Sequence, residues 1–143
     1  EYSLVTQNDI EYLSLKKLNR IRDSLVKLKN KCKILLTRNL DSIFHELQFL
    51  LPSGIHSKAV YALLKKYPSA EEIAALETDV LTNILKTNSR GHFCEKTANI
   101  IKSQAESSVG FEDISLSLRI SQLISSVELL EEQIRNTEKI YFQ

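Results

Sequence analysis

The sequence predicts an all-α protein: a long antiparallel helical coiled-coil stalk carrying a small inserted helical lobe. Three observations lead there. Only three Gly and two Pro occur in 143 residues, which leaves little material for hairpin turns or linkers. Two long stretches place apolar residues at alternating spacings of three and four, the period of a coiled-coil seam. Between them lie short segments punctuated by Pro, Gly and capping residues.

The first helix is expected over residues 8–50, about 65 Å long at ~1.5 Å per residue. The stretch "TQNDIEYLSL" offers an N-cap near Asn8 or Asp9, and no Gly or Pro interrupts the chain before Pro52. Its expected seam is Leu18, Ile21, Leu25, Leu28, Cys32 and Leu35. Beyond Cys32 the stripe changes phase and continues as Leu36, Leu40, Ile43, Leu47 and Leu50. The extra step of four acts as a stutter that relaxes a supercoil. Phe44, Phe49 and Leu51 then widen the stripe, as expected where a helix enters a bulkier core.

Residues 51–110 read as the lobe. "KAVYALLKKY", "SAEEIAAL", "TDVLTNIL" and "GHFCEKTANIIKSQAESS" are its helical pieces. Ser69 after Pro68 is an N-cap with Glu72 as capping-box partner, and Thr78 with Asp79 opens the next piece. The expected core is Tyr61, Leu64, Tyr67, Ile73, Leu76, Leu81, Ile84, Leu85, Phe93, Ile100 and Ile101.

Residues 111–141 form the returning arm, with a helix from about Glu112 to Lys139. Leu116, Ile120, Leu123, Val127, Leu130 and Ile134 step by four, three, four, three, four. Beside this seam lie Glu131 and Glu138, whereas the first helix has Lys17, Arg22, Lys29, Lys31 and Arg38 at its flanks. Like charges there disfavour pairing of the first helix with its own copy, and the acidic flank of the last helix complements it. The chain must return, so the expected pairing is antiparallel; a hairpin within one chain and a swapped pairing satisfy the same seam. Leu13, Leu15, Val26, Ile34, Leu118, Ile124 and Leu129 remain as apolar surface for self-association into a homodimer or higher oligomer.

A net charge of +1 conceals a strong asymmetry. Residues 16–38 hold nine Lys or Arg against a single acid, Asp23. Two readings of this segment stand side by side. It is a solvated face that also serves the acidic last helix, or it is a surface for nucleic-acid phosphates. Lys16, Arg20, Lys27 and Lys33 point away from the expected seam and are free for phosphate, and such binding weakens steeply with salt. No aromatics interleave with the cations, so any contact is to backbone or shape rather than to bases.

The lobe has the cadence of a helix-hairpin-helix region, in which turn N–H groups and a helix N-terminus bind sugar-phosphate. Its turn, "SRGHF", has one glycine where such hairpins have two, and a plain structural turn is the simpler reading. Arg90, His92 and Lys96 are the residues that test it.

Catalytic chemistry finds no support. No Ser-His-Asp spacing, glycine-rich phosphate loop or paired-carboxylate cluster is visible, and His45, His56, His92 and Cys94 do not assemble four metal ligands. No catalytic residue, metal ligand or cofactor is therefore assigned to this chain. Cys32 and Cys94 read as reduced thiols of an intracellular protein, Cys32 packed as a small hydrophobe. No apolar run approaches the length of a membrane span. The chain lacks an opening Met and a signal-peptide pattern, and reads as an excerpt of a longer protein.

Three ordered stretches carry a family resemblance. "RIRDSLVKLKNKCKILLTRNLDSIFHELQ", then "AVYALLKKYPSAEEIAALETDVLTNILKTNSRGHFCEKTANIIKSQAESSVG", then "LSLRISQLISSVELLEEQIRNTEKI" together resemble the middle region of the DEDD-type insertion-sequence transposases, the IS-one-ten family. The likeness spans about 130 of the 143 residues. It departs at Lys96-Thr97, where family members usually have Lys-Ala, a change that helix packing tolerates. The resemblance implies a bacterial, cytoplasmic recombinase that moves a mobile element. A nuclease-like domain with four acidic residues, holding divalent metal, precedes this region in the family, and a domain with a catalytic serine follows it. Further implied are a structured guide RNA, oligomers on DNA, and a coiled-coil region that joins protomers. No residue here matches the acidic quartet or the serine, so no catalytic role is transferred.

Overall fold

A computed structural model describes residues 6–51, 54–108 and 113–141. Among them the chain is entirely helical: α1 (Gln7–Ile43), α2 (Leu47–Leu50), α3 (Lys58–Lys66), α4 (Ala70–Ala74), α5 (Thr78–Asn88), α6 (Glu95–Glu106) and α7 (Ile114–Tyr141). Pro52, Ser53 and residues 109–112, which include Gly110 and Glu112, lie outside the described residues.

The long first helix is capped two or three residues earlier than the expected Asn8 or Asp9. Thr6 is the N-cap: its hydroxyl accepts the Asp9 N–H and the Asp9 carboxylate accepts the Thr6 N–H, each at 3.1 Å. These reciprocal bonds satisfy two donors that the helix itself cannot. They also hold the Asp9 carboxyl below its usual range.

The same helix ends at Ile43, short of the expected Leu50, although neither Gly nor Pro stops it. Phe44 leaves helical geometry at φ −148° and ψ 73°. The break lets Phe44 and Leu47 both reach full burial. Tertiary burial outweighs local helix propensity here, since propensity differences are only tenths of a kcal/mol per residue.

α1 and α7 share the most extensive helix–helix contact, and α3 packs on both α5 and α7. One continuous core results. It runs from Leu36, Leu40, Ile43 and Phe44 through Ile120, Leu123, Ile124 and Val127 into the lobe, where Leu63, Leu64, Ile73, Leu81, Leu85 and Ile101 are buried. The α7 stripe matches its spacing well: Ile120, Leu123, Val127 and Ile134 are buried, Leu116 and Leu130 partly so. Ile124 is also fully buried and is therefore not surface for self-association, whereas Leu13, Leu15, Ile34, Leu118 and Leu129 are exposed. Val26 is half-covered.

The α1 stripe differs in register from the expected seam. Leu18, Leu25, Cys32 and Leu35 are partly covered, but Ile21 and Leu28 are 50% and 52% exposed. The covered line instead includes Arg22 and Lys29, which are half-buried, followed by Leu36, Leu40 and Ile43. A straight helix repeats every 3.6 residues, so its inner face drifts from a strict heptad. The aliphatic stems of Arg and Lys can occupy it while the charged heads reach water. Ile21→Gln with Leu28→Gln is accordingly expected to change stability by under ~0.5 kcal/mol per site. Leu36→Ala should cost about 2–5 kcal/mol. Urea denaturation of the two proteins measures both.

In the lobe, the Ser69 hydroxyl accepts the Glu72 N–H at 3.3 Å, as the capping pattern requires. Ser57 caps α3 in the same way, through the Val60 N–H at 3.4 Å. Ile100 alone among the expected lobe core is 44% exposed. On α6 the inward line is Ala98, Ile101 and Ala105, and Ile100 sits one residue off it. Tyr67, Leu76 and Ile84 line the core edge.

Candidate nucleic-acid interface

Helix geometry sorts the nine cations of residues 16–38 into two groups. At ~100° per residue, Lys16, Arg20, Lys27, Lys31 and Arg38 fall within an arc of about 60°. All five are exposed, as is Lys17 to one side. Their sequence steps are four, seven, four, seven. An eleven-residue repeat is close to three whole turns, so the row stays straight along the axis. From Lys16 to Arg38 it extends about 33 Å at ~1.5 Å per residue. Leu25 and Leu36 point the opposite way, toward the covered side.

The second group, Arg22, Lys29 and Lys33, is partly covered. Arg22 Nε donates to Glu138 Oε1 at 2.8 Å, joining the first half of α1 to the end of α7. Arg22 also lies 3.9 Å from Asp23. Among the described residues the other eight cations of this segment make no ion pair. No ion pair among the described residues therefore neutralises the straight row, which is the condition for attracting a polyanion.

Spacing had placed Lys31 and Arg38 beside the seam and Lys33 on the outer face. The structure reverses these assignments: Lys31 and Arg38 belong to the outer row, and Lys33 lies near His56 on the covered side. The eleven-residue recurrence of 16-27-38 and 20-31 was the signal in the sequence that identifies the row.

The lobe turn is a separate feature. The Gly91 N–H reaches back to the Lys86 carbonyl at 3.0 Å, closing α5. Arg90 at φ 56° and Gly91 at φ 79° take the left-handed conformation that such a helix ending needs. Phe93 is buried, and its N–H is held by the Ser89 hydroxyl at 2.9 Å. Arg90, His92 and Lys96 are exposed. Cys94 is the N-cap of α6 and makes no side-chain capping hydrogen bond, but the nearby backbone N–H groups of Thr97 and Lys96 favour its thiolate and hold its pKa below the usual value.

Arg90 lies in a region that costs a residue with a Cβ about 1 kcal/mol. Arg90→Gly is expected to raise stability by ~0.5–1 kcal/mol in a denaturant titration. If nucleic-acid affinity is unchanged in the same variant, the turn acts structurally.

Among the described residues no group of three or more His, Cys, Asp and Glu is arranged to hold a metal ion, and no helix is long and apolar enough to cross a membrane. Cys32 is half-buried against the core and Cys94 is exposed, both as free thiols. Compared with protein-family models, curated proteins and solved structures, the chain matches none.

Proposed function

We propose that this chain is the non-catalytic connecting region of a bacterial mobile-element transposase, working in the cytoplasm. In this reading α1 and α7 form an antiparallel coiled-coil stalk and α2 to α6 the inserted lobe. The Arg22–Glu138 pair at one end supports opposite helix directions, as does the Ser108 hydroxyl donating to Glu46 at 3.0 Å near the other. The stalk separates the two catalytic domains of the parent recombinase and joins protomers. The outer row of α1 contacts the phosphates of DNA or of a structured guide RNA during transposition. Metal-dependent strand chemistry belongs to the domains on either side.

The observation that carries the nucleic-acid part is the straight row Lys16, Arg20, Lys27, Lys31 and Arg38, exposed and without ion-pair partners among the described residues. The ordered resemblance of the three long stretches supports the transposase part. A stand-alone nucleic-acid-binding module fits the same row. An unrelated coiled-coil adaptor does not need it.

The test is fluorescence anisotropy of the purified chain with a labelled hairpin RNA and a labelled duplex DNA at low salt. Binding to either supports the reading. Absence of binding to both at micromolar protein favours the adaptor.

A further inference from the structure

α7 has three sides along its length, and two of them are occupied. The first carries Leu123, Val127 and Ile134, all buried, with Glu138, which accepts from Arg22 of α1 at 2.8 Å. The second meets the lobe: the Ser121 hydroxyl donates to the Lys65 carbonyl at 3.3 Å, and Lys65 Nζ donates to Glu128 at 3.2 Å. The third stands open to solvent. Leu118, Leu129 and Ile140 are 59%, 54% and 55% exposed there, and Gln122, Ser125, Gln133 and Asn136 between them are exposed as well. At ~100° per residue these seven share an arc of about 80°, and no Asp, Glu, Lys or Arg of α7 falls within it.

Two identical chains joined about a two-fold axis need a surface complementary to itself, residue i on j and j on i. The third side of α7 meets that condition. Counted from Leu129, the steps toward either end are four, three and four. An antiparallel copy centred there sets Leu118 on the partner's Ile140, Gln122 on the partner's Asn136 and Ser125 on the partner's Gln133, with Leu129 on its own counterpart. Apolar groups meet apolar groups, and hydroxyl and amide groups meet others that can both donate and accept.

We infer that this side of α7 joins two copies of the chain, antiparallel, with the two-fold axis at Leu129. The inference rests on the proposed role of the stalk in joining protomers and identifies the surface that does it. Leu118, Leu129 and Ile140 recur every eleven residues, close to three whole turns, so two straight helices stay in contact along the row. The row is about 33 Å long at ~1.5 Å per residue. α1 is a poorer candidate. It also exposes Ile10, Leu13, Ile21 and Leu28, but Lys17 and Lys31 fall in the same line, and like charges at a seam disfavour a paired copy. The joining side of α7 lies roughly opposite the side that meets α1. The paired chains therefore carry their two cation rows on the outer flanks, where both remain free for phosphate.

Light scattering on the whole chain at high micromolar concentration is the first test. The unaltered protein should show a mass near twice 16.4 kDa. Leu129→Glu, which sets two carboxylates against each other at the axis, should show half that mass with unchanged circular dichroism. Leu28→Glu, at an equally exposed leucine of α1, should remain a dimer. A dimer that persists in Leu129→Glu overturns the α7 surface and leaves protomer joining by the stalk in place, whereas a monomeric unaltered chain overturns both. Cross-linking under mild oxidation, in a Cys94→Ser background, reads the direction of pairing. Leu129→Cys should cross-link with itself, and Ser125→Cys should do so only when mixed with Gln133→Cys. Ser125→Cys that cross-links equally well alone contradicts the antiparallel register.

Discussion

Replacing Lys16, Arg20 and Lys27 together by Glu is expected to lower affinity for duplex DNA or hairpin RNA by about a thousandfold near 0.1 M salt. Each cation that neutralises a phosphate releases condensed counterions, and near that salt each such contact is worth roughly a factor of ten to the equilibrium constant. The three residues share one exposed face of α1 and make no ion pair among the described residues. Reversal should therefore leave the fold intact, with stability changes within ~0.5 kcal/mol per site. Anisotropy reports the affinity and circular dichroism the fold. The control is Lys58→Glu with Lys65→Glu, on α3 rather than on the row, which should weaken binding far less. Equal losses in both variants would assign the attraction to total charge rather than to the row.

The second large effect concerns the end of α1. Phe44→Ala is expected to cost about 3–5 kcal/mol in urea denaturation, the range for truncating a buried aromatic ring. Phe44 is fully buried between the end of α1 and the start of α2, in the core that continues into the lobe, and the helix gives up its regular geometry to place it there. Its removal leaves a cavity at the junction of the two parts of the core. A cost below ~1 kcal/mol would mean that the break at Phe44 has another cause. Phe49, five residues on and 75% exposed, is the companion measurement. Phe49→Ala should be close to neutral.

The helical class and the position of α7 were legible because they depend on one signal, apolar spacing free of Gly and Pro. Ile120, Leu123, Val127 and Ile134 all face inward as their steps require. The register of α1 was only half legible. Arg22 and Lys29 occupy its covered line, and a count of apolar residues passes over long charged side chains whose stems are buried. Ile21 and Leu28 entered the expected seam because they keep the heptad, although the covered line of α1 does not follow it. The end of α1 at Ile43 was not legible, since it answers to the burial of Phe44 and Leu47 in three dimensions and has no punctuating residue.

The basic segment itself was evident from charge alone. Its division was not. Which cations stand in the outer row depends on where the inner face lies, and a one-residue error in that face exchanges Lys31 and Arg38 for Lys33. The contacts of His56 with Thr37 and Tyr61 were beyond reach for a related reason. They join residues nineteen and five positions apart, and nothing in the local pattern marks His56 as more than a loop residue.

The most direct test of the proposed role of α1 is the salt dependence of binding by the unaltered chain. Affinity for a labelled duplex DNA is measured by anisotropy from low to moderate salt and plotted as the logarithm of the association constant against the logarithm of the salt concentration. A straight line of slope between about −3 and −5 is predicted, corresponding to three to five phosphates neutralised by the row. A slope near zero would contradict a phosphate-contacting α1.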